Sequence, residues 1–236
     1  NQSPAGENNP VELGPVQEQT RTLYWHGDDG DFNGTNWTEA RDVSGNKVSF
    51  HSFDMLSFDG TGTGSDANCA LDTDADCYSL DFTGYTGTFS VGPYTLSVEE
   101  YLIAAGGTID AGTGNLDIDG GITVDGAAVI APQAGNSFTV AEGIKVISGT
   151  FVHNGGTLTL DGAEGTHPLT GGFYDVAHAG ASTTYQVDCT GDLSVVNNLQ
   201  LTSGTLKVVD SAFVAVTGTL AVAGGTLDAE NGNLSI

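Results

Sequence analysis

The sequence predicts an all-β protein: a parallel β-solenoid (β-helix) of about 20–22 residues per coil with an aromatic N-terminal cap. Three observations predict it. Short apolar triplets recur at a constant interval. Each triplet alternates apolar, polar, apolar. Glycine and asparagine fall between triplets, where a chain must turn. Leu199-Gln200-Leu201 recurs 21 residues later as Leu220-Ala221-Val222, and Thr205-Leu206 recurs 21 later as Thr226-Leu227. Leu193-Ser194-Val195 recurs as Val214-Ala215-Val216 and then, 20 residues on, as Leu234-Ser235-Ile236.

The pattern extends upstream. Leu116-Asp117-Ile118, Phe138-Thr139-Val140 and Leu158-Thr159-Leu160 form a second stack at spacings of 22 and 20. Gly107-Thr108-Ile109 matches Gly149-Thr150-Phe151, 42 residues on and so two coils away. Alternation of period two is a strand with one buried face. Val, Ile, Thr and Phe suit such a strand, and glycine makes positive φ accessible at the corners. One coil cannot bury its apolar face, but stacked coils share a core. A β-sandwich also has many short strands, but its strands need not recur at a fixed interval.

These spacings divide the chain. Residues 1–20 are polar and proline-containing and read as a flexible arm, able to add as a strand to a neighbour's edge. Residues 21–79 hold both tryptophans, Trp25 and Trp37, with Phe50 and Phe58, and read as a β-rich cap with acidic loops. Residues 80–236 are the solenoid. The interval from Leu158 to Leu193 is 35, too long for one coil, so an inserted lobe is expected near 163–188, including His167–Gly180. Val98–Ala104 is the single stretch granted a short helical turn. The chain stops inside a strand triplet, Leu234-Ser235-Ile236. The expectation is an open edge that either more chain or another subunit covers.

Composition sets limits on partners. The 236 residues include 35 glycines, 30 acidic residues and only 5 Lys plus Arg, a net charge of −25. That argues against nucleic acid or an anionic membrane as partner. No run of 18 apolar residues exists, so no membrane-inserted helix is expected. The start, Asn1-Gln2-Ser3-Pro4, reads as a processed N-terminus of a secreted chain.

Two segments invite a divalent cation. Asp29-Gly30-Asp31-Phe32-Asn33-Gly34 fits the first half of a D-x-D-x-N-G calcium loop, with Asp29, Asp31 and Asn33 as oxygen ligands. Its twelfth position is Ala40 rather than Glu, so an acidic turn is the competing reading. Asp72, Asp74 and Asp76 repeat the alternate-carboxylate spacing, and three close carboxylates repel unless a cation such as calcium neutralises them. Cys69 and Cys77 bracket that loop and are expected to form a disulfide in an oxidising compartment. Cys189 is then left over. Zinc is not expected, for no Cys or His pair has ligand spacing. His26, His51, His153, His167 and His178 are scattered and read as surface residues. Asp119 and Asp161 occupy matching positions two coils apart, about 9.6 Å along the stack, with Ala141 between them. A glycosidase could use such a pair, but no third group supports it, and no enzymatic activity is expected.

Tyr24-Trp25-His26-Gly27, Gly34-Thr35-Asn36-Trp37 and Asp54-Met55-Leu56-Ser57-Phe58-Asp59-Gly60 resemble the start of large repeat-rich bacterial surface proteins and autotransporter-like adhesins. Gly149-Thr150-Phe151-Val152-His153-Asn154-Gly155-Gly156-Thr157-Leu158 and Gly204-Thr205-Leu206 resemble their repeats. The resemblance spans most of residues 21–236. It implies an extracellular or cell-surface solenoid used in a filament, coat or adhesin stalk, and it carries over no catalytic residue. The expected partners are further copies of the chain, in a homo-oligomer or filament, and surface glycans for a binding module.

Overall fold

A single ladder shows how the chain is built. Cys77, Val98, Ile118, Val140, Leu160, His178, Leu201 and Val222 lie side by side in consecutive parallel strands, each in register with the next. The computed structural model describes residues 20–27, 30–59, 61–188 and 191–236. Within them the regular structure is all β, and the strands stack into a solenoid of about eight turns.

The coil has three faces. The first carries the ladder above, on strands that include Asn115–Ile118, Phe138–Val140, Thr157–Leu160, Asp175–His178, Asn198–Leu201 and Thr219–Val222. The second buries Leu23, Leu56, Leu80, Leu102, Ile122, Ile144 and Leu169 in one row. The third stacks Cys69, Phe89, Ile109, Val129 and Phe151. Four strands, Ala75–Asp81, Thr95–Ala104, Gly121–Ile130 and Ile144–Val152, run through a corner from one face to the next. That is why Val98–Ala104 is extended rather than helical: Glu99 and Glu100 sit exposed at the bend, and Val98, Leu102 and Ala104 stay buried. Each fully buried Leu or Val side chain contributes about 1.5–3 kcal/mol, so a continuous three-sided row is the main source of cohesion.

The expected lobe near 163–188 does not form. Glu164–Pro168, Gly171–Phe173 and Asp175–His178 are the three sides of one ordinary level. Glu164–Pro168 pairs in parallel with Ser182–Val187, and Gly171–Phe173 with Leu193–Val195. The 35-residue interval misled because its ends lie on different faces: Leu158 stacks on Val176 and Leu199, whereas Leu193 stacks on Val214. Coil lengths of 18 and 23 residues also hide the level from a search at constant spacing.

The N-terminal cap is smaller than residues 21–79. Thr22–Trp25, Met55–Ser57 and the Ser79–Asp81 end of Ala75–Asp81 are already levels of the second face, paired in parallel. The covering element is the segment between the first two levels. There Trp37–Thr38 turns back antiparallel on Thr22–Trp25, and Trp37 bridges Val48. Trp25, Phe32, Trp37 and Phe58 are fully buried, with ring centroids 5.3–5.7 Å apart in the tilted and edge-on pairs that aromatic quadrupoles favour. Their bulk closes the first end of the core. The arm of residues 1–20, apart from residue 20, lies outside the described residues.

Candidate functional site

The corners of the coil carry the acidic residues, and hydrogen bonding explains many of them. Asp74 Oδ1 accepts from the Thr95 amide at 2.8 Å, Asp66 Oδ1 from the Thr86 amide at 3.1 Å, and Asp192 Oδ1 from the Phe213 amide at 2.9 Å. Asn68 and Asn115 do the same for the amides of Thr88 and Ser137, each at 2.8 Å. In each case a corner side chain bonds the amide that opens or precedes a strand one level on, at a separation of 20–22 residues. A turn leaves such amides without ladder partners, and Asn and Asp supply the acceptor. This role was readable in principle as Asx recurring one coil before a strand start.

Asn33 and Asp72, from the two segments expected to bind calcium, meet at one corner of the coil. Asn33 Nδ2 donates to Asp72 Oδ1 at 2.8 Å and to the Thr73 carbonyl at 3.1 Å, so the two acidic loops do meet. Asp31 is exposed on Gly30–Asp31, which pairs with Cys69–Ala70. Asp74 is committed to the Thr95 amide, and Asp76 projects from Ala75–Asp81 beside Ser97. Asp29 lies outside the described residues. Among the described residues no three His, Cys, Asp or Glu side chains gather as a metal centre needs.

The expected disulfide is absent: Cys69 and Cys77 are free thiols, each 2% exposed. Cys69 stacks under Phe89 on the third face and Cys77 beside Val98 on the first. Each is an inward core residue in its own row, with the acidic corner between them. Burial, helped by Asp31 and Asp72, pushes the Cys69 thiol well up, and burial followed by Asp76 does the same for Cys77, so both are protonated and unreactive. Cys189 lies outside the described residues.

The histidines do not share one role. His51 stacks on Phe53, His153 on Tyr174, and His167 Nε2 lies 2.9 Å from the Glu164 carbonyl. His178 is different. It is 1% exposed, sits in the core ladder between Leu160 and Leu201, and neither ring nitrogen has a hydrogen-bond partner. The Tyr185 ring meets it edge-on at 4.7 Å. Burial lowers its pKa, and the nearby backbone of Thr205 and Thr183 offsets part of that. The surface reading fails here because the triplet Val176-Ala177-His178 puts histidine at an inward position.

Asp117, Asp119 and Asp161 share the outside of the first face. The Asp161 carboxyl is raised above its ordinary value by desolvation, then by Asp117 and Asp119, and Asp117 is raised by desolvation and Asp119. Ala141 separates the levels of Asp119 and Asp161, as expected from their spacing.

The two ends of the solenoid differ. The first is plugged by aromatics. At the other, Thr219–Val222, Thr226–Asp228 and Asn233–Ser235 each pair on one side only. Residues that are buried one level earlier become exposed there. Leu201 is 1% exposed and its neighbour Val222 49%; Val214 is 0% and its neighbour Leu234 37%. Compared with known proteins, the chain matches no family model, no curated protein and no solved structure. Its likeness to repeat-rich β-helix proteins is one of architecture.

Proposed function

We propose that the chain is a structural extracellular or cell-surface protein, a subunit or segment of a filament, coat or adhesin stalk that assembles through its solenoid edges. The observation that carries this reading is the stack itself, about eight parallel turns wound on one continuous apolar core, an extended scaffold of the kind that spans or displays. Unpaired edges with apolar side chains template further strands. The partner is a second copy, whose N-terminal arm supplies the added strand. Surfaces this acidic repel one another at close range. Calcium enters the proposal as an ion between copies, at the corner of Asp31, Asn33, Asp72, Asp74 and Asp76, where it offsets that repulsion.

Electron microscopy of the native material tests the reading. Polymers are expected, together with their loss in Leu234→Asp at unchanged circular dichroism. Monodisperse particles in the presence of calcium would overturn it.

A further inference from the structure

We propose that the outer surface of the second face, across its first four levels, is a binding site for neutral oligosaccharides. Leu23, Leu56, Leu80 and Leu102 point inward, so their neighbours line the outside in two rows. Thr22, Met55, Ser79 and Tyr101 form one row, and Tyr24, Ser57, Asp81 and Ile103 the other. Between them lies a cleft of about 190 Å³, edged by Tyr24, Tyr101, Arg41, Asp59 and Asp81. It is below the 300–1,000 Å³ usual for a compact organic ligand. It suits one unit of a longer chain that continues along the face.

The lining has the chemistry of a sugar site. Tyr24 and Tyr101 stand three levels apart, about 14 Å along the axis. Tyr101 is 38% exposed. A tyrosine ring offers a rigid apolar plate to the C–H side of a pyranose, and its hydroxyl offers a polar tip. Asp81 and Asp59 supply carboxylate acceptors, and Arg41 supplies donors beyond those it gives Asp59. Ser79, at the cleft floor, is 2% exposed and its Oγ has no hydrogen-bond partner.

Charge selects the class of sugar. Arg41 is held by Asp59 at 2.6 Å, and Asp81 leaves the cleft net negative on a chain of −25. A uronate or sulfate would meet repulsion, and an uncharged polyol would not. This inference goes beyond the assembly reading, and loss of polymer formation would leave it standing.

The test is calorimetric titration of the full chain with cellohexaose, maltohexaose and mannohexaose, with hexagalacturonate alongside. Saturable binding of at least one neutral hexamer is expected. Tyr101→Ala and Arg41→Gln should each weaken it by about tenfold or more, and Tyr174→Ala, on another face, should not. In the wild-type chain, the bound hexamer should protect Tyr101 from nitration, a readout independent of how the variants fold. Binding of none of the neutral hexamers, stronger binding of hexagalacturonate, or binding without Tyr101 protection would overturn the proposal.

Discussion

Replacing His178 with leucine should stabilise the protein and remove part of its acid sensitivity. The imidazole is 1% exposed between Leu160 and Leu201, with both nitrogens unpaired. A buried polar group left without a partner costs about 1–3 kcal/mol. Leucine restores the aliphatic ladder in a similar volume, so a gain of about 1–3 kcal/mol is expected. For a chain of this size that is a rise in melting temperature of about 2–12 °C. The pH arm is more specific. Burial depresses the His178 pKa in the folded state, so the unfolded chain binds the proton more readily. Its contribution to stability is therefore complete above the unfolded value near 6.5 and is lost as pH falls through the window below it, by at most about 1.4 kcal/mol per pH unit. Tyr185, the ring against it, has its phenol pushed up to about 12, first by burial and then by Asp161 and Glu142, so it stays neutral throughout. Melting curves of wild type and His178→Leu between pH 8 and 5 should diverge below pH 6.5, the wild type falling faster. A variant that melts below wild type at pH 7.5, or a difference that does not change with pH, would refute the reasoning.

Further outcomes follow from the same contacts. Gly204 has φ +64°, and a Cβ added there would run into His178 Cε1 and the Gly180 carbonyl, so Gly204→Ala adds both strain and a clash. A loss of about 2 kcal/mol or more is expected in a denaturant titration. Asp192→Ala removes the acceptor for the Phe213 amide and should cost about 1 kcal/mol, with faster hydrogen exchange at that amide. Leu234→Asp, at an exposed position, should leave the monomer's melting temperature within about 1 °C while abolishing polymers on sedimentation. Chelation should dissociate the polymers; if they persist in chelator, calcium has no part in the assembly.

The architecture was legible because its signal is local and repeated. Leu193, Val214 and Leu234 stack as their spacing required, and so do Leu116 with Phe138 and Leu199 with Leu220. Thr108, Ala128 and Thr150 confirm the two-coil match. A period-two triplet fixes which side chains face inward whatever surrounds it. Spacing alone did not settle which face a triplet joins, because coils of 18 to 33 residues pass for insertions or caps when one length is assumed. Hence 163–188 looked like a lobe, and most of 21–79 looked like a cap. The same gap misplaced the chemistry. Cys69 and Cys77 are eight residues apart in sequence but belong to separate rows. His178 reads as any polar residue until the ladder puts Leu160 on one side of it and Leu201 on the other. Tyr24 and Tyr101, 77 positions apart, come to edge one cleft only because the chain winds three levels from one to the other.

What the amino-acid order settled by itself is that aliphatic rows lie one above another in a common dry interior, since a strand buries every second side chain wherever it lies. What only the folded chain decided is which corner each row turns. That depends on how many residues each bend consumes, and bends are set by contacts between levels that no single level contains.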